Sequence, residues 1–339
     1  MWHSHMPQVW LVPNNANRVA FTYDPADPTT HADIGRMDQV CTHCSVYKFK
    51  GETKGVCCSD GKVVLEPSPV LPPLLKELLS GEGPLRKHFL DNIRTYNGSF
   101  VMTSFGHKEA EVQGWNPSFR IQGQVFHRIG SLLPPEEDQP KFLQVYFLDS
   151  HAKKLAVRNH SSLKPHILEM LTKWFHENNH LVLELTTARD VLAEGGNSEE
   201  CQIIIRENKR LQGEHTRPYN AQSAPEVTIL MDNKPTEPRD IVLRFHNGAL
   251  KRISELHASY DALQYPIVFP YGTDGYSIHL VARTATGQDG RKLTQLQYYS
   301  YHIMVREGNH ILQMRRLFQQ FLVDVYCKIE TERLGFIRR

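Results

Sequence analysis

The sequence predicts an α+β protein with an N-terminal cysteine finger, a β-rich central region with packed helices, and a long amphipathic C-terminal helix. Three observations carry this reading. Four of the six cysteines fall between Cys41 and Cys58. Through the middle of the chain the apolar period switches between two and about 3.6, which mixes strands and helices. Near the end, Leu317, Phe318, Phe321, Leu322, Val325 and Ile329 share one helical face.

The 339 residues suffice for two domains or one large one. An apolar fraction of 40% and a charged fraction of 22% are ordinary for a globular protein. A mean hydropathy of −0.44 predicts long surface loops. The net charge of +2 excludes a strongly basic nucleic-acid binder, so any such contact must come from local patches. Met1-Trp-His-Ser-His-Met6 lacks a basic segment followed by an apolar core, so no secretory signal is expected. No apolar run is long enough for a membrane span. Reduced cysteines are therefore expected, and metal binding outranks a disulfide framework.

Four segments follow in order. Residues 1–38, rich in Pro, Asn, Asp and His, read as an extended lead-in with turns at Asp24-Pro25 and Asp27-Pro28. Residues 39–66 hold the cysteines and end in a strand-like Lys62-Val-Val-Leu65. Residues 67–290 form the α+β body. Pro72 and Pro73 start a short helix over 74–79. A β-rich block is expected from Ser99 to Asp149, with strands at 100–105, 119–126 and 142–148 and a bulge at Gly123. The segment 163–178 places Ile167, Leu168, Leu171, Trp174 and Phe175 on one helical face. Strands are expected at 202–205, 227–231 and 241–245. A helix carrying Leu250, Ile253 and Leu256 or His257 comes next, then a turn-rich passage from Tyr265 to Tyr276. Residues 291–339 contain the closing helix.

The chemistry concentrates in Cys41-Thr-His-Cys44 and Cys57-Cys58. Zinc takes four tetrahedral Cys or His ligands, and a C-x2-C turn supplies two of them. Cys41, Cys44, Cys57 and Cys58 are the candidate ligands of a structural zinc. Adjacent side chains of a strand point to opposite faces, so one of Cys57 and Cys58 reaches the metal only through an irregular turn. Otherwise His31, His43 or Asp60 would complete the site. The alternative is four buried free thiols, since cysteine is among the most buried residue types.

His176-Glu-Asn-Asn-His180 matches the H-E-x-x-H pattern of zinc hydrolases, with Glu177 as the general base. The match falls where a helix is ending, because Asn178 and Asn179 favour caps over helix interiors. Leu181-Val-Leu-Glu-Leu185 offers no third ligand. A solvated helix end is the simpler reading. No phosphate-binding loop and no G-x-S-x-G elbow occurs.

Read in order, the motifs resemble the N-terminal region of Helitron transposon proteins, the rolling-circle replicase-helicases of eukaryotes. The series runs from Cys41-x2-Cys44 and Cys57-Cys58-x2-Gly61-Lys62-Val63 through Asn92-Ile-Arg-Thr-Tyr-Asn97, Thr103-Ser-Phe105, Phe119–His127 and Ile129–Pro134. Tyr146–Asp149, Arg217-Pro-Tyr-Asn220 and Ala224–Val227 follow. The most specific block is Tyr260-Asp-Ala-Leu-Gln-Tyr-Pro-Ile-Val-Phe-Pro-Tyr-Gly272. Tyr298-Tyr-Ser-Tyr-His302, Leu317–Asp324 and Ile329–Leu334 close it. The resemblance covers roughly residues 39–339.

The resemblance implies DNA work in the nucleus, with single-stranded DNA as partner and nuclease and helicase domains to dock. The family's metal-binding His pair, paired catalytic tyrosines and helicase phosphate loop lie downstream of the matched region. Residues 291–339 match the opening of its helicase-like domain. Tyr298, Tyr299 and Tyr301 match that opening and not the tyrosine pair, and read as packing residues of a helix. The chain is thus expected to be a noncatalytic DNA-binding module, or alternatively a scaffold whose closing helix leaves an apolar face open. In the finger, Lys48, Lys50, Lys54 and Lys62 would meet phosphates, and Tyr47 and Phe49 would stack on bases. The same Tyr-Lys-Phe-Lys alternation also suits a half-buried strand.

Overall fold

The computed structural model describes residues 35–65, 69–106, 126–134, 138–148, 151–158, 160–195, 201–206, 227–231, 241–244, 251–283 and 289–337. The finger opens with two short strands, β1 (Gln39–Val40) and β2 (Tyr47–Lys48), paired antiparallel. Residues 62–65 form only an isolated bridge and not the expected strand.

Three helices follow: α1 (Pro73–Ser80), α2 (Pro84–Asp91) and α3 (Ile93–Gly98). Pro73 opens α1, where a missing N–H leaves nothing unsatisfied. After β3 (Ser104–Gly106) and β4 (Phe126–Ile129), the segment Phe142–Phe147 forms a 3-10 helix, not a strand. Leu143, Val145, Tyr146 and Phe147 are all buried there, which period-two alternation would forbid. Gln144 ties the turn: its Oε1 accepts from the Lys141 N–H at 3.0 Å and its amide donates to the Ser131 and Leu133 carbonyls. Of the expected strand over 100–105 only the end enters β3. Gly123 and most of the 119–126 strand lie outside the described residues.

Next come α4 (His151–Arg158), α5 (Pro165–Asn178) and α6 (His180–Gly195). Ile167, Leu168, Leu171 and Phe175 are buried along α5, and Trp174 is half-buried. Strands β5 (Cys201–Ile205), β6 (Val227–Met231) and β7 (Ile241–Arg244) form an antiparallel sheet with β5 in the centre. The helix expected around 253–257 is absent. Instead β8 (Lys251–Arg252) extends the β3–β4 sheet, and the Ile253 N–H bonds to the His127 carbonyl at 2.9 Å. Leu250 lies outside the described residues. Pairing to a distant strand has overridden the local period.

The chain ends with α7 (Tyr260–Gln264), the hairpin β9 (Val281–Arg283) and β10 (Asp289–Lys292), α8 (Gln295–Ile303), a 3-10 turn at Ile311–Met314, and α9 (Arg315–Ile337). Thr294 caps α8 by accepting from the Gln297 N–H. Residue 290 lies inside β10, so a domain boundary there cuts a hairpin.

Two large apolar cores hold the body. The first joins α1, α2, α3, α5, α8 and α9 through Leu75, Phe89, Tyr96, Leu171, Tyr299 and Phe321. The second packs α6 and α7 on β5 and β7 through Leu181, Leu185, Leu263, Ile203 and Leu243. Leu317, Phe321, Val325 and Ile329 of α9 are buried in the first core. The apolar face expected to stand open is therefore covered. A different stripe, Val323, Tyr326, Leu334 and Ile337, is exposed, and Phe336 is exposed on another side of the helix. No helix among the described residues is long and apolar enough to cross a membrane.

Candidate metal centre

The first arm of the cysteine cluster is a tight turn between β1 and β2. The Ser45 N–H bonds to the Cys41 carbonyl at 2.9 Å, and the Cys41 N–H bonds to the Val46 carbonyl at 2.9 Å. Ser45 takes a positive φ of 56°, turning the chain so that Cys41 and Cys44 face one point. The second arm is a turn, not a strand. Ser59, Asp60 and Gly61 are consecutive residues with positive φ, at 51°, 59° and 79°. This is the irregular turn that adjacent ligands require, and it brings both Cys57 and Cys58 inward. A Cβ at position 61 would lie 2.7 Å from His43 Nδ1, so glycine is needed both for its φ and for that close approach.

The sulfur atoms of Cys41, Cys44, Cys57 and Cys58 all lie within 4.8 Å of one another. Cys58 Sγ is 3.8 Å from both Cys41 Sγ and Cys57 Sγ. A zinc–sulfur bond of about 2.3 Å gives a tetrahedron with edges of roughly 3.8 Å. A disulfide needs about 2.05 Å, and the four thiols are free. The Gly61 N–H points at Cys58 Sγ at 3.2 Å, the kind of outer contact that orients a thiolate ligand.

The thiols are arranged unequally. Burial pushes Cys41 up, but backbone N–H groups of His43 and Cys44 donate to its sulfur and bring its pKa down to about 6. Burial and the neighbouring Cys41 and Cys44 sulfurs push Cys57 up strongly. Burial raises Cys58 to about 11, although the Gly61 N–H works in the opposite direction. Four sulfurs this close cannot all ionise without a cation among them, and a divalent metal would deprotonate all four. Donor set and spacing both fit zinc. A metal held by all four would have no open position, as in structural zinc sites.

His43 and Asp60 do not join the cluster. Their side chains are about half exposed and meet each other, Nε2 to Oδ1 at 3.6 Å. His31 lies outside the described residues. Of the expected DNA contacts, Tyr47, Lys50, Lys54 and Lys62 are exposed and Phe49 is half-buried. Lys48 departs from that expectation: it is 8% exposed and its Nζ donates inward to the Thr53 carbonyl at 3.4 Å. Strand alternation in β2 sets this, because Tyr47 and Lys48 must face opposite sides.

The finger is fastened to the body. Its small core of Val46, Val63 and the thiols is completed by Ala282 and Leu293 of the hairpin region and Tyr301 of α8. The Tyr47 N–H bonds to the Val305 carbonyl at 2.8 Å, Tyr301 Oη donates to the Leu65 carbonyl, and the Gln297 amide donates to Ser59 Oγ. Neither Tyr298, Tyr299 nor Tyr301 is positioned as a nucleophile, since all three are buried.

The H-E-x-x-H match is broken in two. α5 ends at Asn178, and Asn179 is buried, its Oδ1 accepting from the Val182 N–H to cap α6. His180 Nδ1 lies 2.7 Å from the Tyr271 carbonyl, and Asn179 Nδ2 donates to the Pro270 carbonyl. The Pro270-Tyr-Gly272 turn docks on this break so closely that a Cβ at Gly272, with φ +77°, would meet Asn179 Oδ1 at 2.8 Å. Glu177 is exposed beside Lys173. No metal-holding group includes His176, Glu177 or His180 among the described residues. The helix end is not simply solvated, because Asn179 and His180 are spent on tertiary contacts.

One polar constellation gave little sequence signal. Lys328 of α9 is fully enclosed and meets Asp261, while also donating to Tyr299 Oη at 2.5 Å. Tyr299 Oη donates to the other Asp261 oxygen at 2.7 Å. One turn earlier on α9, Asp324 accepts from Tyr265 Oη at 3.1 Å and lies 3.0 Å from His127 Nε2. His127 stacks on Tyr260 at 4.1 Å. The only trace in the sequence was the pair Asp324 and Lys328 lying along an apolar helix face.

No family model matches the chain, and no curated protein is significantly similar to it.

Proposed function

We propose that the chain is a noncatalytic DNA-binding module of a Helitron-type rolling-circle transposition protein, acting in the nucleus, with Cys41, Cys44, Cys57 and Cys58 holding a structural zinc. The observation that carries the metal half is the convergence of four thiols at tetrahedral spacing. The DNA half rests on the motif series and on the exposed Tyr47, Lys50, Lys54 and Lys62 around that centre. Zinc orders the turns that carry these side chains, the lysines meet phosphates and Tyr47 stacks on a base. Binding of the full chain to oligothymidylate, followed across a salt series with and without a chelator, tests it. Affinity should fall as salt rises and should be lost when zinc is removed. Binding that ignores both salt and chelator contradicts the proposal.

A second reading is favoured by the exposed stripe Val323, Tyr326, Leu334 and Ile337 on α9. It makes the chain a scaffold that docks nuclease or helicase domains. Under it, Tyr326→Glu and Leu334→Glu would improve solubility and leave DNA binding unchanged.

A further inference from the structure

His176, the half of the broken motif with no metal to bind, sits among positive charges. Arg158, at the end of α4, is 3% exposed. Its guanidinium lies 4.7 Å from the Phe100 ring centre and 4.6 Å from that of Tyr146. Its Nε donates to the Ser99 carbonyl at 3.1 Å and its Nη1 to Thr172 Oγ1 at 3.3 Å. Its Nη2 is buried with no well-aligned partner; the Tyr146 hydroxyl beside it donates to the Phe100 carbonyl at 2.7 Å. His176 leans on the same Tyr146 ring at 5.7 Å, and its Nε2 is also buried without a partner.

Burial, then the charges of Lys154, Arg158, His151 and Arg189, hold the His176 pKa down to about 3. Such a field repels a cation, so the motif fails as a zinc site on electrostatic grounds as well as geometric ones. An enclosed guanidinium is normally matched by an anion. No carboxylate among the described residues forms an ion pair with Arg158 or His176.

We propose that Arg158 and His176 together bind a phosphate-type oxyanion; Arg189 stands nearby but is held by Asp190 and the Leu148 carbonyl. A guanidinium presents a fork of N–H donors that suits tetrahedral oxyanions, and imidazole adds one more donor. The aromatic rings of Phe100 and Tyr146 fix the fork in place. Entry is from the side of His176, the partly exposed member. Inorganic phosphate and a nucleic-acid phosphate share this chemistry. The site is independent of the cysteine cluster and of the activity proposed for it.

The test titrates the full chain with inorganic phosphate against chloride at matched ionic strength. It follows the His176 ring resonances and the melting temperature. A saturable shift of those resonances and a rising Tm are expected. Arg158→Gln should weaken phosphate binding about tenfold or more, the loss of a charge-assisted pair. If Arg158→Gln does not fold, His176→Gln carries the same test and should weaken the response. Cys44→Ser should leave it intact, which separates this site from failure of the metal-dependent reading. With oligothymidylate, displacement by phosphate and weakening by His176→Gln identify a nucleic-acid phosphate as the source. Movement of His176 with phosphate but not with the oligonucleotide identifies a free anion. Resonances that stay fixed in phosphate, or a Tm response unchanged in His176→Gln, overturn the proposal.

Discussion

Three of the eight buried side chains in the finger's core are cysteines, and the rest include only one aromatic ring. The body core that gathers α1, α5, α8 and α9 is instead filled by leucines, isoleucines and interlocked rings such as Phe100 on Phe175 at 4.8 Å. A segment with so small an apolar core gains little against its chain entropy, which is where a cross-linking centre contributes most. The body has the area, and it can enclose a charge network among Asp261, Lys328 and Tyr299 without a metal. If the proposed zinc orders the finger as packing orders the body, the two should fail under different insults.

The largest separation comes from metal removal. Structural zinc in small fingers is worth an apparent ~10–16 kcal/mol at neutral pH. Chelation or Cys44→Ser should therefore unfold residues 39–65 while far-UV circular dichroism keeps the helical signal of the body. Hydrogen exchange would show the difference directly: amides of Ser45 and Val63 lose protection and those of α5 and α9 keep it.

The converse insult attacks the body. Lys328→Met leaves Asp261 enclosed without its cation, and breaking a buried pair in this way costs about 3–5 kcal/mol. Urea denaturation should report that loss, with zinc content unchanged.

A smaller effect follows from two buried imidazoles. Burial, then the surrounding cations, lowers His176 to about 3. Burial, then Arg306, lowers His302 to about 4. In the unfolded chain each titrates near its ordinary value of about 6.5. Between those values the unfolded state binds more protons, so stability rises with pH and is lost as pH falls from 6.5 towards 4. Tm should decline over that window in the Cys44→Ser background, where acid release of metal plays no part. His302→Gln and His176→Gln should each flatten the decline.

The smallest effect belongs to the finger's surface. Lys54→Ala should change stability by less than about 0.5 kcal/mol. If Lys54 meets a phosphate, the slope of log affinity against log salt should fall by about 1. Lys48→Ala should not lower that slope, because its Nζ faces the Thr53 carbonyl.

Much of this contrast was legible in the chain. The ligand set stood out because four cysteines clustered in so short a stretch have few alternative uses. α5 and the buried face of α9 were legible because their apolar spacing holds over several turns. Asn178 and Asn179 marked the helix break correctly, but not the docking of Pro270 and Tyr271 that consumes it. Phe142–Phe147 was misread because a short apolar run does not distinguish strand from 3-10 helix, and Gln144 decided the matter through contacts elsewhere. Residues 251–253 went to a sheet through pairing with β4, a long-range effect. The inward turn of Cys57 and Cys58 depended on three successive positive φ values, of which only Gly61 left a trace in the sequence.

The most direct test of the account is the metal itself. The full chain, purified without chelator, should carry a single zinc. Replacement by cobalt should give the intense sulfur-to-metal charge transfer and d–d bands of a tetrahedral four-thiolate site. Cys57→Ser and Cys58→Ser should each change that spectrum, since both sulfurs belong to the cluster. Protein that lacks metal, leaves all four thiols open to titration, or gives a spectrum indifferent to one of that adjacent pair would contradict it.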